Sequence, residues 1–118
     1  MMRTQCQRLQ EHLEELGKIG AVPEGGVNRF TYSKEYYESV ELLRHFMEDA
    51  GLETEVDPVG NVIGTRRGAT DRIILLGSHI DSVPNAGIFD GCLGVLSAVE
   101  TMKTLAENGT ELQHTVKV

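Results

Sequence analysis

At 118 residues, 40% hydrophobic and 25% charged with 13 glycines, the chain has the size and composition of one soluble globular domain. Its net charge of −7 argues against nucleic acid and anionic membrane surfaces, which call for a basic patch. No apolar run approaches the roughly 20 residues of a membrane helix. The polar opening Met1-Met2-Arg3-Thr4 shows no secretory signal, and Cys6 and Cys92 have no disulfide-framework spacing, so a reducing cytoplasmic setting is expected.

Leu9, Leu13, Leu16 and Ile19 recur at helical spacing, which predicts a first helix from about Thr4 to Ile19, closed off by Gly20 and Pro23. A second helix is expected from Ser33 as N-cap, with Glu35 in its first turn and Tyr36, Val40, Leu43 and Met47 as its apolar stripe, ending at Gly51. Leu52 to Val56 then alternates, Asp57-Pro58-Val59-Gly60-Asn61 is dense in turn formers, and Val62-Ile63 resumes extended character, so a hairpin is expected. Residues 72–80 contain Ile73-Ile74-Leu75-Leu76, a run typical of a strand buried on both faces. A third helix is expected from about Asp90, carrying Val95, Val99 and Met102 and ending at Asn108-Gly109, and Thr115-Val116-Lys117-Val118 opens another strand. Helices alternating with a buried strand predict an α/β fold, a sheet covered on both sides. On this reading residues 115–118 form a bare sheet edge, open to pairing with another chain.

The stretch richest in chemistry is Gly77-Ser78-His79-Ile80-Asp81-Ser82-Val83-Pro84, followed by Gly87-Ile88-Phe89-Asp90-Gly91. Alternation along a strand puts His79 and Asp81 on one face at its carboxyl end, where ligands bind in open α/β sheets. A neutral imidazole is a common metal ligand, and a nearby carboxylate fixes its tautomer. Asp90, at the mouth of the third helix, offers two oxygens that can bridge two ions. Each residue also has a plainer reading: His79 as a surface residue, Asp81 as a turn opener, Asp90 as a helix cap.

These two motifs together resemble the first metal-binding motif of the aminoacylase/carboxypeptidase-like superfamily of dinuclear metallohydrolases. The hydantoinase/carbamoylase branch is the most similar, since Gly25-Gly26-Val27-Asn28-Arg29, Tyr32-Ser33 and Asp57-Pro58-Val59-Gly60-Asn61 also match it. The resemblance implies the N-terminal part of a three-layer αβα catalytic domain with a mixed sheet. It implies His79 as a ligand to one ion, Asp90 as the bridge between two, and Asp81 as the catalytic-site carboxylate that orients His79. It also implies a cis peptide at Asp90-Gly91. Cys92, where the branch has an apolar residue, is read as a packed helix residue in preference to a thiolate ligand.

The implied reaction is hydrolysis of a linear C–N bond in N-carbamoyl amino acids or ureido compounds such as allantoate. The implied cofactors are two divalent ions, zinc, manganese, cobalt or nickel, in a homodimer. The resemblance places a Glu-Glu pair, further histidines and a lid domain with the substrate-binding residues outside residues 1–118. One His and one Asp make an incomplete zinc site, so this chain alone is expected to bind metal weakly and to be inactive. It is also expected to be marginally stable or self-associating. His12 and His45 read as exposed helix residues and His114 as the lead-in to the last strand. The rival readings are an aminoacylase or peptidase of the same superfamily, and a short non-catalytic protein that makes contacts through the 115–118 edge.

Overall fold

Apolar spacing decides where the helices fall in the computed structural model, which describes residues 1–118. Helix α1 spans Cys6–Gly17, α2 Lys34–Asp49 and α3 Cys92–Glu107. The stripe of α2 is buried at Tyr36, Val40, Leu43 and Met47, and the Ser33 hydroxyl accepts from the Tyr36 amide at 3.1 Å, closing the first turn. Leu13 and Leu16 from α1 and Val95, Leu96, Val99 and Met102 from α3 complete one core with the α2 stripe. Burying side chains such as Leu16, Met47, Leu96 and Met102 contributes about 1.5–3 kcal/mol each.

Strands β1 (Glu53–Val56), β2 (Val62–Arg66), β3 (Thr70–Leu75) and β4 (His114–Lys117) form one mixed sheet in the order β1-β2-β4-β3. β1 and β2 are the expected hairpin, antiparallel with Val56 opposite Val62. β4 runs antiparallel to β2 and parallel to β3, so β3-α3-β4 is a crossover unit. This mixed α/β arrangement is the expected fold class; α2 packs on β1 and β2, and α1 and α3 pack on α2 and on each other. The chain measures 46 × 35 × 17 Å, and its short dimension holds two of the three layers of an αβα arrangement.

Two expectations need correction. Residues 115–118 are not a sheet edge, because β4 lies between β2 and β3 with both sides hydrogen-bonded. The free edges belong to β1 and β3, so any contact through the 115–118 edge is barred by strands already in place. β3, in turn, is not buried on both faces: Ile73 is 56% and Leu75 76% exposed. It is an outer strand, and no helix of these residues covers the sheet's second face. That face carries Glu53, Glu55, Thr65, Arg67, Asp71 and Lys117 around Ile73.

The helices are tied to one another by a buried carboxylate. Glu100 on α3, 2% exposed, accepts from Arg8 Nε at 2.7 Å and Nη2 at 3.0 Å, from the Gln5 amide at 2.7 Å and from the Thr104 hydroxyl at 3.1 Å. Arg8 reaches Glu107 as well, at 2.6 Å. Burial by itself raises a carboxyl pKa, but the bonds from Arg8, Gln5 and Thr104 outweigh it and hold Glu100 below the usual range. A carboxylate whose pKa is lower folded than unfolded stabilises the fold above its unfolded value, and that stability drains as pH falls through the folded value.

Arg8→Met leaves this carboxylate buried without its partner and is expected to cost about 3–5 kcal/mol. The same change raises the folded Glu100 pKa towards or past its unfolded value, so less stability is lost on acidification and the acid limb is flatter than in the parent chain. Urea midpoints measured across the acid range check both; an unchanged midpoint and acid limb would remove the ion pair from the list of stabilising contacts.

Candidate active site

The site lies at the carboxyl ends of the parallel pair β3 and β4. The last ladder bond there runs from the Leu76 amide to the Lys117 carbonyl at 2.8 Å, after which the chain leaves the sheet. The strand expected to reach Ile80 ends at Leu75, and His79 and Asp81 stand in the loop beyond it. β2 is antiparallel, so its amino end and the 57–61 turn come to this same side.

The loop brings His79 and Asp81 together without the help of strand alternation. His79 Nδ1 is 3.2 Å from Asp81 Oδ1 and 3.1 Å from the Asp81 backbone oxygen. A carbonyl oxygen only accepts, so the neutral ring carries its hydrogen on Nδ1 and leaves the Nε2 lone pair free. Both side chains are about half exposed, 51% and 43%, so this pair contributes orientation more than stability.

Two glycines let the loop lie against α3. Gly91 has φ +68°, and a Cβ there would stand 2.6 Å from His79 Nδ1 and 2.4 Å from the His79 carbonyl oxygen. A Cβ on Gly94 would meet the Ser78 Cβ at 2.8 Å. Asp90 thus sits one residue from the glycine that abuts the His79 ring. It is exposed, and α3 has Gly91 at its N-cap with no side-chain cap, so capping is not its task. The Asp90-Gly91 bond is trans, not cis as the resemblance implies. No three His, Cys, Asp or Glu side chains converge anywhere in the chain.

His79 and Asp81 line a cleft of about 370 Å³ with Tyr32, Tyr36, Asn61 and Val118. The tyrosines clamp the 57–61 turn: Tyr32 donates to the Val59 carbonyl and Tyr36 to the Gly60 carbonyl, both at 2.8 Å. Asp57 braces the turn from inside, accepting from the Val59 and Asn61 amides and from Asn61 Nδ2. Burial, and then the charge of Asp81 across the cleft, push the Tyr36 phenol up. Tyr32 holds φ +66°, a conformation costly for an aromatic residue and common where a site demands it.

The remaining histidines stand away from the cleft. His45 is exposed, as expected, and His114 Nδ1 pairs with the Thr70 hydroxyl at 2.7 Å. His12 is a correction, for its ring stacks on Phe46 at 3.9 Å, its Nδ1 is buried without a partner, and burial lowers its pKa. Cys92 is buried and its thiol is pushed up by desolvation, which suits packing and opposes a thiolate. Gly94 has no part in the sequence reading, while Gly91, Tyr32 and Ser82 stand in it only as members of matched stretches, without the contacts they make here.

Comparison with known proteins follows these same segments. Residues 61–118 match the model of Peptidase family M28. N-carbamoyl-L-amino acid amidohydrolase of Geobacillus stearothermophilus is 41% identical over 97% of this chain and 28% of its own length. Allantoate amidohydrolase of Bacillus subtilis is 42% identical over 84% of this chain and 24% of its own. A solved structure of a hydantoinase/carbamoylase family amidase from Burkholderia ambifaria superposes with a TM-score of 0.94 at 34% identity, covering 98% of this chain and 29% of that one. The chain therefore spans less than a third of the length of each.

Gly91→Ala places a methyl group on the His79 ring and forces an L residue to a positive φ, at a cost of about 1–3 kcal/mol. The expected result is a lower unfolding midpoint together with displaced His79 ring signals in NMR. Wild-type signals in the folded variant would show that α3 does not constrain the imidazole.

Proposed function

We propose that the chain forms the N-terminal part of a metal-dependent amidohydrolase of the hydantoinase/carbamoylase kind, a reading supported by its likeness to those amidases over nearly its whole length. Its substrates on this reading carry a linear C–N bond, N-carbamoyl amino acids or ureido compounds such as allantoate. Water adds to the ureido carbonyl and the C–N bonds break, so that a carbamoyl amino acid yields the amino acid, ammonia and carbon dioxide. The names of the relatives support the hydrolase class; the choice among these substrates belongs to the proposal.

One observation carries the metal dependence. Asp81 occupies His79 Nδ1 with two acceptors, which leaves the Nε2 lone pair free, and the ring lies against Gly91, next in the chain to Asp90, whose carboxylate caps nothing. A carboxylate-oriented imidazole next to an uncommitted carboxylate is the donor set of a zinc, manganese, cobalt or nickel site. The two side chains fit as part of such a site and not as all of it, because catalytic zinc normally takes three protein ligands and no three gather here. Bound divalent ions would supply an acidified water and positive charge for the developing oxyanion. His79 and Asp90 would hold them, Asp81 would keep the His79 tautomer, and the Tyr32–Tyr36 wall would shape the cleft. The general base, the remaining ligands and a lid domain with dimer contacts are assigned to sequence outside these 118 residues.

Calorimetric titration of the chain with Zn²⁺ and Mn²⁺, with assays on N-carbamoyl-L-amino acids and allantoate, tests this reading. Weak binding and no turnover are expected; sub-micromolar affinity or turnover by these residues alone would contradict the two-donor argument. If the reading frame continues past Val118 into a Glu-Glu motif, the longer protein should hydrolyse these substrates. In it, Asp81→Asn should lose about 10–100-fold in metal affinity or activity.

A further inference from the structure

Arg29 is 2% exposed, and its guanidinium meets no carboxylate. It donates to the carbonyls of Leu16 and Ile19 (2.9 Å for Ile19), at the end of α1. Helix α1 has no basic residue in its last turn, so Arg29 brings from a later loop the cation that the negative end of the helix favours. That accounts for Nη2. The other terminal nitrogen has no such helix-capping purpose: Nη1 donates to the Ile80 carbonyl at 3.0 Å and lies 3.5 Å from Cys92 Sγ.

Those two neighbours are the significant ones. Ile80 is the residue between His79 and Asp81, and Cys92 is two residues after Asp90 and the first of α3. A single nitrogen therefore spans the two segments that carry the donors. The backbone of Arg29 grips the loop a second time, since the Ser82 amide donates to the Arg29 carbonyl and the Arg29 amide to the Ser82 hydroxyl, both at 2.8 Å. The loop from His79 to Ser82 is thus held at Ile80 and at Ser82, on either side of Asp81, by one residue.

We propose that Arg29 is a positioning residue of the metal half-site, setting His79 and Asp81 against the start of α3 and hence against Asp90. This rests on the reading of His79 and Asp90 as metal donors. The planar fork of arginine matters, because it serves the α1 end and the loop at once, which a lysine ammonium cannot do.

The test uses the metal-free 118-residue chain, labelled with ¹⁵N, and reads the His79 ring tautomer at one fixed pH above the histidine range. In the parent chain Nδ1–H is expected to predominate. Arg29→Met should lower the Nδ1–H to Nε2–H ratio roughly fivefold or more, the worth of one net hydrogen bond, and Arg29→Lys should restore it in part. Arg8→Met, which weakens the fold at the far end of α1, is the control and should leave the ratio unchanged. A folded Arg29→Met with the parent ratio, or an equal shift in Arg8→Met, would overturn the proposal. If Arg29→Met does not fold, Arg29→Lys and Ser82→Ala are read instead: smaller shifts in the same direction support the assignment, and parent ratios in both overturn it. No arm involves a metal, so a zinc titration that contradicts the two-donor argument would leave the tautomer result standing.

Discussion

The placement of β4 between β2 and β3 is the constraint on which the rest of the structure depends. Without it the β1–β2 hairpin and β3 have no common partner, and neither has a hydrophobic face of its own large enough to persist. The joint is narrow: Thr65 and Arg66 pair with Lys117 and Val116, and Gly64 and Val118 exchange reciprocal bonds at 2.8 Å. Val116 and Val118 then point their side chains into the core shared by the helices. The same joint creates the cleft, because it brings the amino end of β2, with its clamped turn, to the side where β3 releases His79.

Much of this was legible in the sequence, for a physical reason that differs by element. The second helix was readable almost to the residue, because an N-cap serine, an acidic first turn and a four-position apolar stripe all coincide. The hairpin was readable from its turn, where the Asp57 side chain accepts from the turn's own amides at Val59 and Asn61. Order within the sheet was not readable. Nothing local distinguishes an interior strand from an edge when both are short, and β4 was placed at an edge although it has partners on both sides. An apolar run such as Ile73–Leu76 records what a strand is suited to bury, not what these residues cover.

The site shows a similar division. The residue types of the half-constellation stand out in the sequence, and so does the pairing of His79 with Asp81, though it comes from a loop and not from strand alternation. The supports do not stand out. Arg29 looks like any other loop arginine until the fold encloses it, since its partners are backbone carbonyls from Leu16, Ile19 and Ile80, and carbonyls carry no sequence signal. A chemist's eye finds side chains that react, whereas what holds them still is frequently main chain.

The interior position of β4 also has a meaning in time. A ribosome releases β3 well before its partner, and the 38 intervening residues, 76–113, take roughly two to eight seconds to make at about 5–20 residues per second. Throughout that interval the backbone of Ile73, Ile74 and Leu75 lacks the strand it pairs with in the sheet, beside a hairpin it cannot yet join. Helix α3, emerging in between, can bury its own stripe on α1 and α2 first, leaving the sheet to close last.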